Sequence, residues 1–332
     1  HGVIFVAPDF WQGYYLKTRI YLEREDMVAA KNSWDRALSR GYKETAGWLD
    51  LTEYIIAEPE GRNTAACVGL GASIVAVRGD DPMMLVVTAD HVIQPNKAFW
   101  KDIRVAAELA EDGETLVVFG IKPTWGNPGF GYILRGEAAG DGCYQVGKFE
   151  EKPAPEIAEQ WATSGNYYWN SGMFVWKTST ILNELEQHSP DIFAPIDEIR
   201  QSVGTPQELE TINRIYPNIP RQPIDKAVME KAANVKVVEA TFEWDDVGSW
   251  KALPNHHAVD SAGNTALGEL LPIDSEGCIV AAEPGHLVAA VGVSDLIIVQ
   301  TKDATLVCRK DDAERVKQVV EALEASGKKE FL

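Results

Sequence analysis

Six short segments hold residue types whose chemistry is easiest to name. In Val86-Val87-Thr88-Ala89-Asp90-His91, a carboxylate directly follows a strongly apolar run. A carboxylate just beyond the end of an α/β-sheet strand faces the ligand crevice, and its oxygens suit a hard divalent cation; the competing reading is a capping Asp. Trp244-Asp245-Asp246-Val247-Gly248-Ser249-Trp250 follows another apolar run, and one of its two acidic residues could supply the second metal ligand. The segments around Gly131-Tyr132, Glu150-Glu151-Lys152 and Asn170-Ser171-Gly172 set one or two polar groups among glycines and aromatics. That is the composition of a sugar site, with Lys152 as a point charge for a phosphate. In Glu58-Pro59-Glu60-Gly61-Arg62-Asn63-Thr64, Asn63 or Thr64 could cap the helix that follows, and Gly61 with Arg62 could seat an anion or a base edge. The pair His256-His257 lacks a third ligand nearby and reads as a loop feature.

The elements that must position these residues alternate in type. Tyr54–Ala57, Met84–Thr88, Leu116–Gly120 and Val235–Ala240 read as strands, Ala65–Val77 and Lys97–Ala110 as helices. Alternation of this kind predicts βαβ units, a mostly parallel sheet covered on both faces, and a site beyond the carboxyl ends of its strands. Upstream, Val3–Val6 reads as a short strand, and Met27, Ala30, Trp34, Ala37 and Leu38 as a helix ended by Gly41. After about Pro254 the text shifts to short strands at turn-punctuated intervals, Cys278–Ala282, Leu287–Val291, Leu296–Gln300 and Thr305–Cys308, closed by an amphipathic helix from Asp311 to Ala325. The expected division is therefore residues 1–257, with 1–57 atypical, and a small β domain over 258–332.

Composition narrows the partners. The 332 residues are 45% hydrophobic and 24% charged, which is globular, and 31 basic against 50 acidic residues give a net charge of −19. Such a field repels nucleic acid and anionic membranes, so a phosphate ligand needs a local site or a metal. No apolar run reaches about 18 residues and no leader-like segment precedes the chain, so the expectation is a soluble, cytoplasmic protein. Cys67, Cys143, Cys278 and Cys308 lack paired spacing and read as buried, reduced thiols.

Taken in order, EPEGRNTA, VVTADHVI, FGIKPTWGNPGFGYI, FEEKP, YYWNSGMFVWK, IDKAVMEK and WDDVGSW resemble the mannose-1-phosphate guanylyltransferase family of sugar nucleotidyltransferases. The resemblance implies a Rossmann-like nucleotidyltransferase domain and a small left-handed β-helix-like domain, often a dimer contact, so a homodimer is expected. It implies the reaction of GTP with mannose 1-phosphate to give GDP-mannose and pyrophosphate, assisted by Mg²⁺. By position it implies Asp90 and Asp246 at the metal, Glu58, Arg62, Asn63 and Thr64 by the nucleotide, Gly131, Tyr132, Glu150 and Asn170 by the mannose, and Lys152 by the sugar phosphate.

One departure stands out. Where the family has a strand followed by GGxGTRLWP, whose backbone N–H groups cradle a triphosphate, this chain reads Pro8-Asp9-Phe10-Trp11-Gln12-Gly13 after Val3–Ala7. Two alternatives accompany the transferase reading: a catalytically silent sugar-nucleotide-binding regulatory or scaffold subunit, and a thymidylyltransferase-type enzyme acting on glucose 1-phosphate.

Overall fold

The structure is a computed structural model that describes residues 2–7, 16–21, 54–328 and 331. The expected helix at 27–38 and the segment Pro8–Gly13 lie outside the described residues. The chain divides into two compact units, 1–244 and 245–332.

The first unit is built on runs rich in β-branched and aromatic residues. The strands are β1 (Gly2–Ala7), β2 (Leu16–Tyr21), β3 (Tyr54–Ala57), β4 (Met83–Thr88), β5 (Val92–Gln94), β6 (Leu116–Ile121), β7 (Gly131–Gly140), β8 (Cys143–Glu151), β9 (Tyr167–Lys177) and β10 (Val235–Glu239). Nine of them form one sheet in the order β3-β2-β1-β4-β9-β6-β10-β8-β7, with β7 also pairing β9. The sheet is mixed, as a Rossmann-like α/β fold with hairpin insertions requires, but it is not mostly parallel. Within this sheet only the described pairs β2–β3 and β6–β10 run parallel. The reason is β9, which lies antiparallel between β4 and β6 and so separates two strands that share a direction. Alternating strands and helices specify the direction of β4, β6 and β10, but not what is inserted between them.

Both faces of the sheet are covered. One packs against helices Asn63–Arg78, Thr178–His188, Pro190–Ser202 and Glu208–Ile215 through a cluster that includes Leu70, Ile74, Leu185, Ile196, Phe174 and Trp176. The other packs against helix Asn96–Ala110 through Ile103, Ala106, Phe119, Met173 and Val175. Along β9 these two sets alternate, as a strand buried on both faces demands. No helix among the described residues is long and apolar enough to cross a membrane.

In the second unit short strands stack as successive coils. Thr265–Leu267, Ile279–Ala282 and Leu296–Gln300 pair in parallel, and beside them Glu269–Ile273 pairs in parallel with Leu287–Val291. Buried Asn264 ties the first turn, accepting the Cys278 N–H at 2.8 Å and donating to the Ser275 carbonyl at 3.1 Å. Trp250 and Leu253 pack on the cluster of Ile279, Ile297 and Ala313, which is why the unit begins at Asp245 rather than at 258. The closing segment is a 3₁₀ turn, Lys310–Arg315, leading into helix Val316–Ala325. His256 ends the short helix Leu253–His256 rather than lying in a loop, and its Nε2 donates to Asp245 Oδ2 at 2.9 Å. All four cysteines are free, with Cys308 half-buried and the others buried.

Trp176 is fully buried and stacked on Phe174 at 5.1 Å between ring centroids. Trp176→Ala is expected to destabilise the first unit by about 3–5 kcal/mol, because the cavity cannot close around so large a deletion. Urea unfolding followed by circular dichroism measures this.

Candidate active site

The carboxyl ends of β4 and β6 and the amino ends of β7 and β9 meet at one edge of the sheet, with Gly120 opposite Asn170 and Tyr132 opposite Trp169. Asn170, Tyr168 and Phe174 lie on the same face of β9, and the Asn170 amide is held at both ends. Its Nδ2 donates to Asp225 Oδ1 at 2.8 Å, and its Oδ1 accepts the Gly172 N–H at 3.0 Å. Gly172 has φ +70°, which lets the chain turn back onto that oxygen.

Gly131 faces this amide across the sheet. A Cβ there would stand 2.5 Å from Glu151 Oε2 and 3.1 Å from Asn170 Cβ, so only glycine lets the two side chains converge. Lys152 Nζ lies 3.3 Å from Glu151 Oε1 and is well exposed. The Glu151 N–H donates to Glu230 Oε1 at 3.0 Å.

Two sequence expectations are corrected here. Glu150 points to the opposite face of β8, where it pairs with Lys148, whose ammonium lies 5.6 Å from the Trp161 ring centroid. Side chains alternate along a strand, so Glu151, in step with core residue Phe149, occupies the place expected for Glu150. Tyr132 is fully buried and its hydroxyl accepts the Trp169 indole N–H at 3.0 Å, so its side chain serves the core beside Ala158 and Trp169.

The residue that sequence reasoning missed is Asp225, at the start of a π-helical turn, Asp225–Met229. Burial pushes its carboxyl up to about 6, helped by the Glu151 carboxylate, while hydrogen bonds from the backbone and Asn170 and the charge of Lys152 oppose the rise. The only sequence signal for it was its place in the run IDKAVMEK.

The segment Gln222–Asp225 also joins this cluster to the Glu58–Thr64 turn. The Ala65 N–H donates to the Gln222 carbonyl at 3.1 Å, and the Ile224 N–H donates to Thr64 Oγ1 at 2.8 Å. Thr64 therefore braces the neighbouring loop rather than capping its own helix. Arg62 is the N-cap residue and makes no side-chain cap bond, while Asn63, at φ +67°, accepts the Thr64 N–H at 2.8 Å.

Glu58 is buried and accepts a hydrogen bond from Tyr216, a residue for which the sequence carried no signal. Burial raises its carboxyl above the usual range, opposed by Tyr216 and the Arg62 backbone N–H. Glu60 accepts from Arg62 at 3.1 Å and from Arg221 at 2.5 Å, and the buried Arg62 Nε has no hydrogen-bond partner among the described residues. A buried guanidinium N–H left open in this way suits an acceptor brought by a ligand.

Asp90 stands exposed two residues beyond β4, in the first unit. Asp246 belongs to the second unit, where its Oδ1 accepts the Gly248 N–H at 3.2 Å.

Against known families, residues 14–262 match the nucleotidyl transferase model and residues 268–323 match the MannoseP isomerase/GMP-like beta-helix domain. The chain belongs to the nucleotidyl transferase family. More particularly, it is 42% identical over 278 residues to a putative mannose-1-phosphate guanylyltransferase of Vibrio cholerae, covering 83% of this chain and 59% of that protein. It is 41% identical over 285 residues to a mannose-1-phosphate guanylyltransferase of Klebsiella pneumoniae, covering 85% of this chain and 60% of that protein. The chain thus spans about 60% of the length of these curated relatives. Among solved structures it superposes on the mannose-1-phosphate geranyltransferase from Thermus thermophilus with a TM-score of 0.74 and 32% identity, covering 92% of this chain and 84% of that one.

The Asp225 shift has a testable sign. Between about pH 4, the midpoint at which a free Asp loses its proton, and pH 6, the native state retains a proton that the unfolded chain gives up. Stability from this group is therefore lost as pH rises through that window. Asp225→Asn should remove that component, so the wild-type minus variant difference in urea midpoint is expected to fall from pH 4 to pH 6; a flat difference would contradict the assignment.

Proposed function

We propose that this chain transfers a guanylyl group from GTP to mannose 1-phosphate, releasing pyrophosphate and forming GDP-mannose. The observation that carries the reading is the cluster at Gly131, where Glu151 and Asn170 converge, with Asp225 bonded to Asn170 and Lys152 paired with Glu151, which offers hydroxyl partners and one cation at the strand ends. The names of the relatives and the ordered motif series support the choice of sugar and base.

The chemistry asks little of a general base. A sugar phosphate oxygen is already ionised and nucleophilic; it attacks the α-phosphorus, the new P–O bond forms, and the bond to the β-phosphate oxygen breaks to release pyrophosphate. The protein must align the two phosphates and offset their charge. Lys152 would meet the sugar phosphate, Asn170, Asp225 and Glu151 the sugar hydroxyls, and Arg62, with its open Nε, an acceptor of the nucleotide, beside Asn63, Thr64 and Glu58. Carboxylate oxygens are the donors a hard cation takes, and Asp90 and Asp246 are the carboxylates proposed to hold Mg²⁺. When bound, that ion would neutralise phosphate charge. A homodimer is part of the same proposal and rests on the sequence resemblance.

Purified protein with Mg²⁺, GTP and mannose 1-phosphate is expected to release pyrophosphate, and Asp90→Asn and Asp246→Asn are each expected to lower the rate at least a hundredfold. GDP-mannose binding without pyrophosphate release would replace the transferase reading with a sugar-nucleotide-binding subunit. Gly131→Ala should raise KM for mannose 1-phosphate about tenfold or more with KM for GTP little changed, because the added methyl displaces Glu151 and Asn170. Equal effects on both substrates would separate Gly131 from the sugar.

A further inference from the structure

We propose that Glu230 is a positioning residue for the sugar half of the substrate, and that the π-helical turn Asp225–Met229 is a clip whose two ends hold the strand ends on either side of Gly131. The inference rests on the reading of Glu151, Lys152, Asn170 and Asp225 as the sugar 1-phosphate site, and it concerns a residue to which that reading gives no role.

The turn has an apolar middle and a carboxylate at each end. Ala227, Val228 and Met229 are fully buried, and the buried Ser189 hydroxyl, between helices Thr178–His188 and Pro190–Ser202, donates to the Ala227 carbonyl at 2.9 Å. The middle is thereby anchored to the helices behind it. The closing bond runs from the Glu230 N–H to the Asp225 carbonyl at 2.8 Å, across five residues. In an α-helix, residues five apart lie about 140° apart around the axis, and their side chains diverge. The wider π turn brings them round to one side. Asp225 Oδ1 accepts from Asn170 Nδ2 on β9 at 2.8 Å, and Glu230 Oε1 accepts the Glu151 N–H at the end of β8 at 3.0 Å. β8 and β9 are the two strands that pair with β7, and Glu151 is the residue opposite Gly131. The clip therefore sets the separation between Asn170 and the Glu151-Lys152 corner, across the gap that Gly131 leaves open.

The corner needs such a hold. Lys152 has φ +54°, a left-handed backbone that a residue with a side chain adopts at a cost, and the following Pro153 restricts it further. A conformation of this kind persists where the surrounding bonds over-determine it. Here the Glu151 N–H bonds Glu230, and the Lys152 N–H bonds the Phe130 carbonyl at 3.3 Å. The second bond is the longer and so the weaker one, which leaves Glu230 as the firmer restraint. Lys152 Nζ is well exposed, so where it meets a phosphate depends on how its backbone is aimed. A shift of about 1 Å at a charged positioning group is enough to spoil alignment.

A carboxylate needed only for bulk or charge would not be replaced by an amide, and the test exploits this. Binding of GDP-mannose and of GDP to the full chain with Mg²⁺ is measured by titration calorimetry for wild type, Glu230→Ala, Glu230→Met and Glu230→Gln. GDP reports the nucleotide half alone, so the ratio of the two Kd values reads the sugar half. Gln keeps an oxygen acceptor for the Glu151 N–H; Ala and Met do not, and Met keeps the length of the side chain. Glu230→Ala and Glu230→Met are expected to weaken GDP-mannose about tenfold with GDP within about twofold of wild type, and Glu230→Gln to stay within about threefold for both. In turnover, the Ala and Met variants should raise KM for mannose 1-phosphate more than they lower kcat. Thermal melting identifies any variant that fails to fold, and if Glu230→Ala does, Glu230→Met against Glu230→Gln decides the point. Preference for GDP-mannose kept in the Ala and Met variants, or lost in Gln as much as in Met, overturns the role of Glu230 alone. Wild-type protein that binds GDP-mannose no more tightly than GDP overturns the sugar reading and the role of Glu230 with it.

Discussion

The arrangement depends on one buried strand. β9 runs antiparallel between β4 and β6 and also pairs with β7, so its pleat is locked by hydrogen bonds along both edges. With a side-chain period of two and both faces covered, each residue is committed to one side: Phe174 and Trp176 to the helical face, Met173 and Val175 to the face of helix Asn96–Ala110. Between Phe174 and Asn170 the register breaks at Gly172, where β9 accommodates two extra residues opposite β6, and because that number is even Asn170 still falls on the helical face at the sheet edge. A slip of one residue would turn Asn170 into the opposite face and aim Trp169 at the crevice.

Around that fixed amide, the polar groups form a mutually supporting set. Asp225 holds one end of Asn170, the Gly172 N–H holds the other, and the missing Cβ at Gly131 makes room for Glu151. Burial is the main reason the Asp225 carboxyl lies above the usual range, and the nearby Glu151 carboxylate adds to the rise. The segment leading into Asp225 is bonded to Thr64 and Ala65, so the Asn170 cluster and the Glu58–Thr64 turn share one backbone strut. Tyr216 and Glu58 add a second, buried link between the same parts of the chain. Such pre-organisation is what alignment of two phosphates requires, since a misplacement of about 1 Å weakens catalysis severely.

The second unit solves a different problem. Its short strands are half-exposed, and each coil gains stability by lying on the previous one, with Asn264 satisfying backbone groups that the tight turn leaves open. Leu271, Ile273, Leu287 and Val291 remain exposed on its Glu269–Ile273 and Leu287–Val291 pair.

Much of this was legible in the residue order. Strand and helix runs over 54–120, the strand near 235–240 and the short strands after 278 followed from periodicity, whereas β7, β8, β9 and the helices between 155 and 215 were not read from it; the polar segments were visible as interruptions among glycines and aromatics, and the ordered motifs pointed to the family. Neighbouring residues were harder to tell apart. Glu150 and Glu151 are chemically equivalent in sequence, and only pairing of β8 with β7, a non-local contact, decides which carboxylate enters the crevice. The same applies to Tyr132, whose hydroxyl looked available until Trp169 was placed against it, and to Asp225, which lies 55 residues from the Asn170 it holds. The sequence by itself determined the periodic elements, their order and the chemistry available to each segment, because these rest on local periodicity and residue type. Strand direction within the sheet, the parity of each side chain and the partners of the buried polar groups were decided by tertiary structure, because register is set by pairing between distant strands.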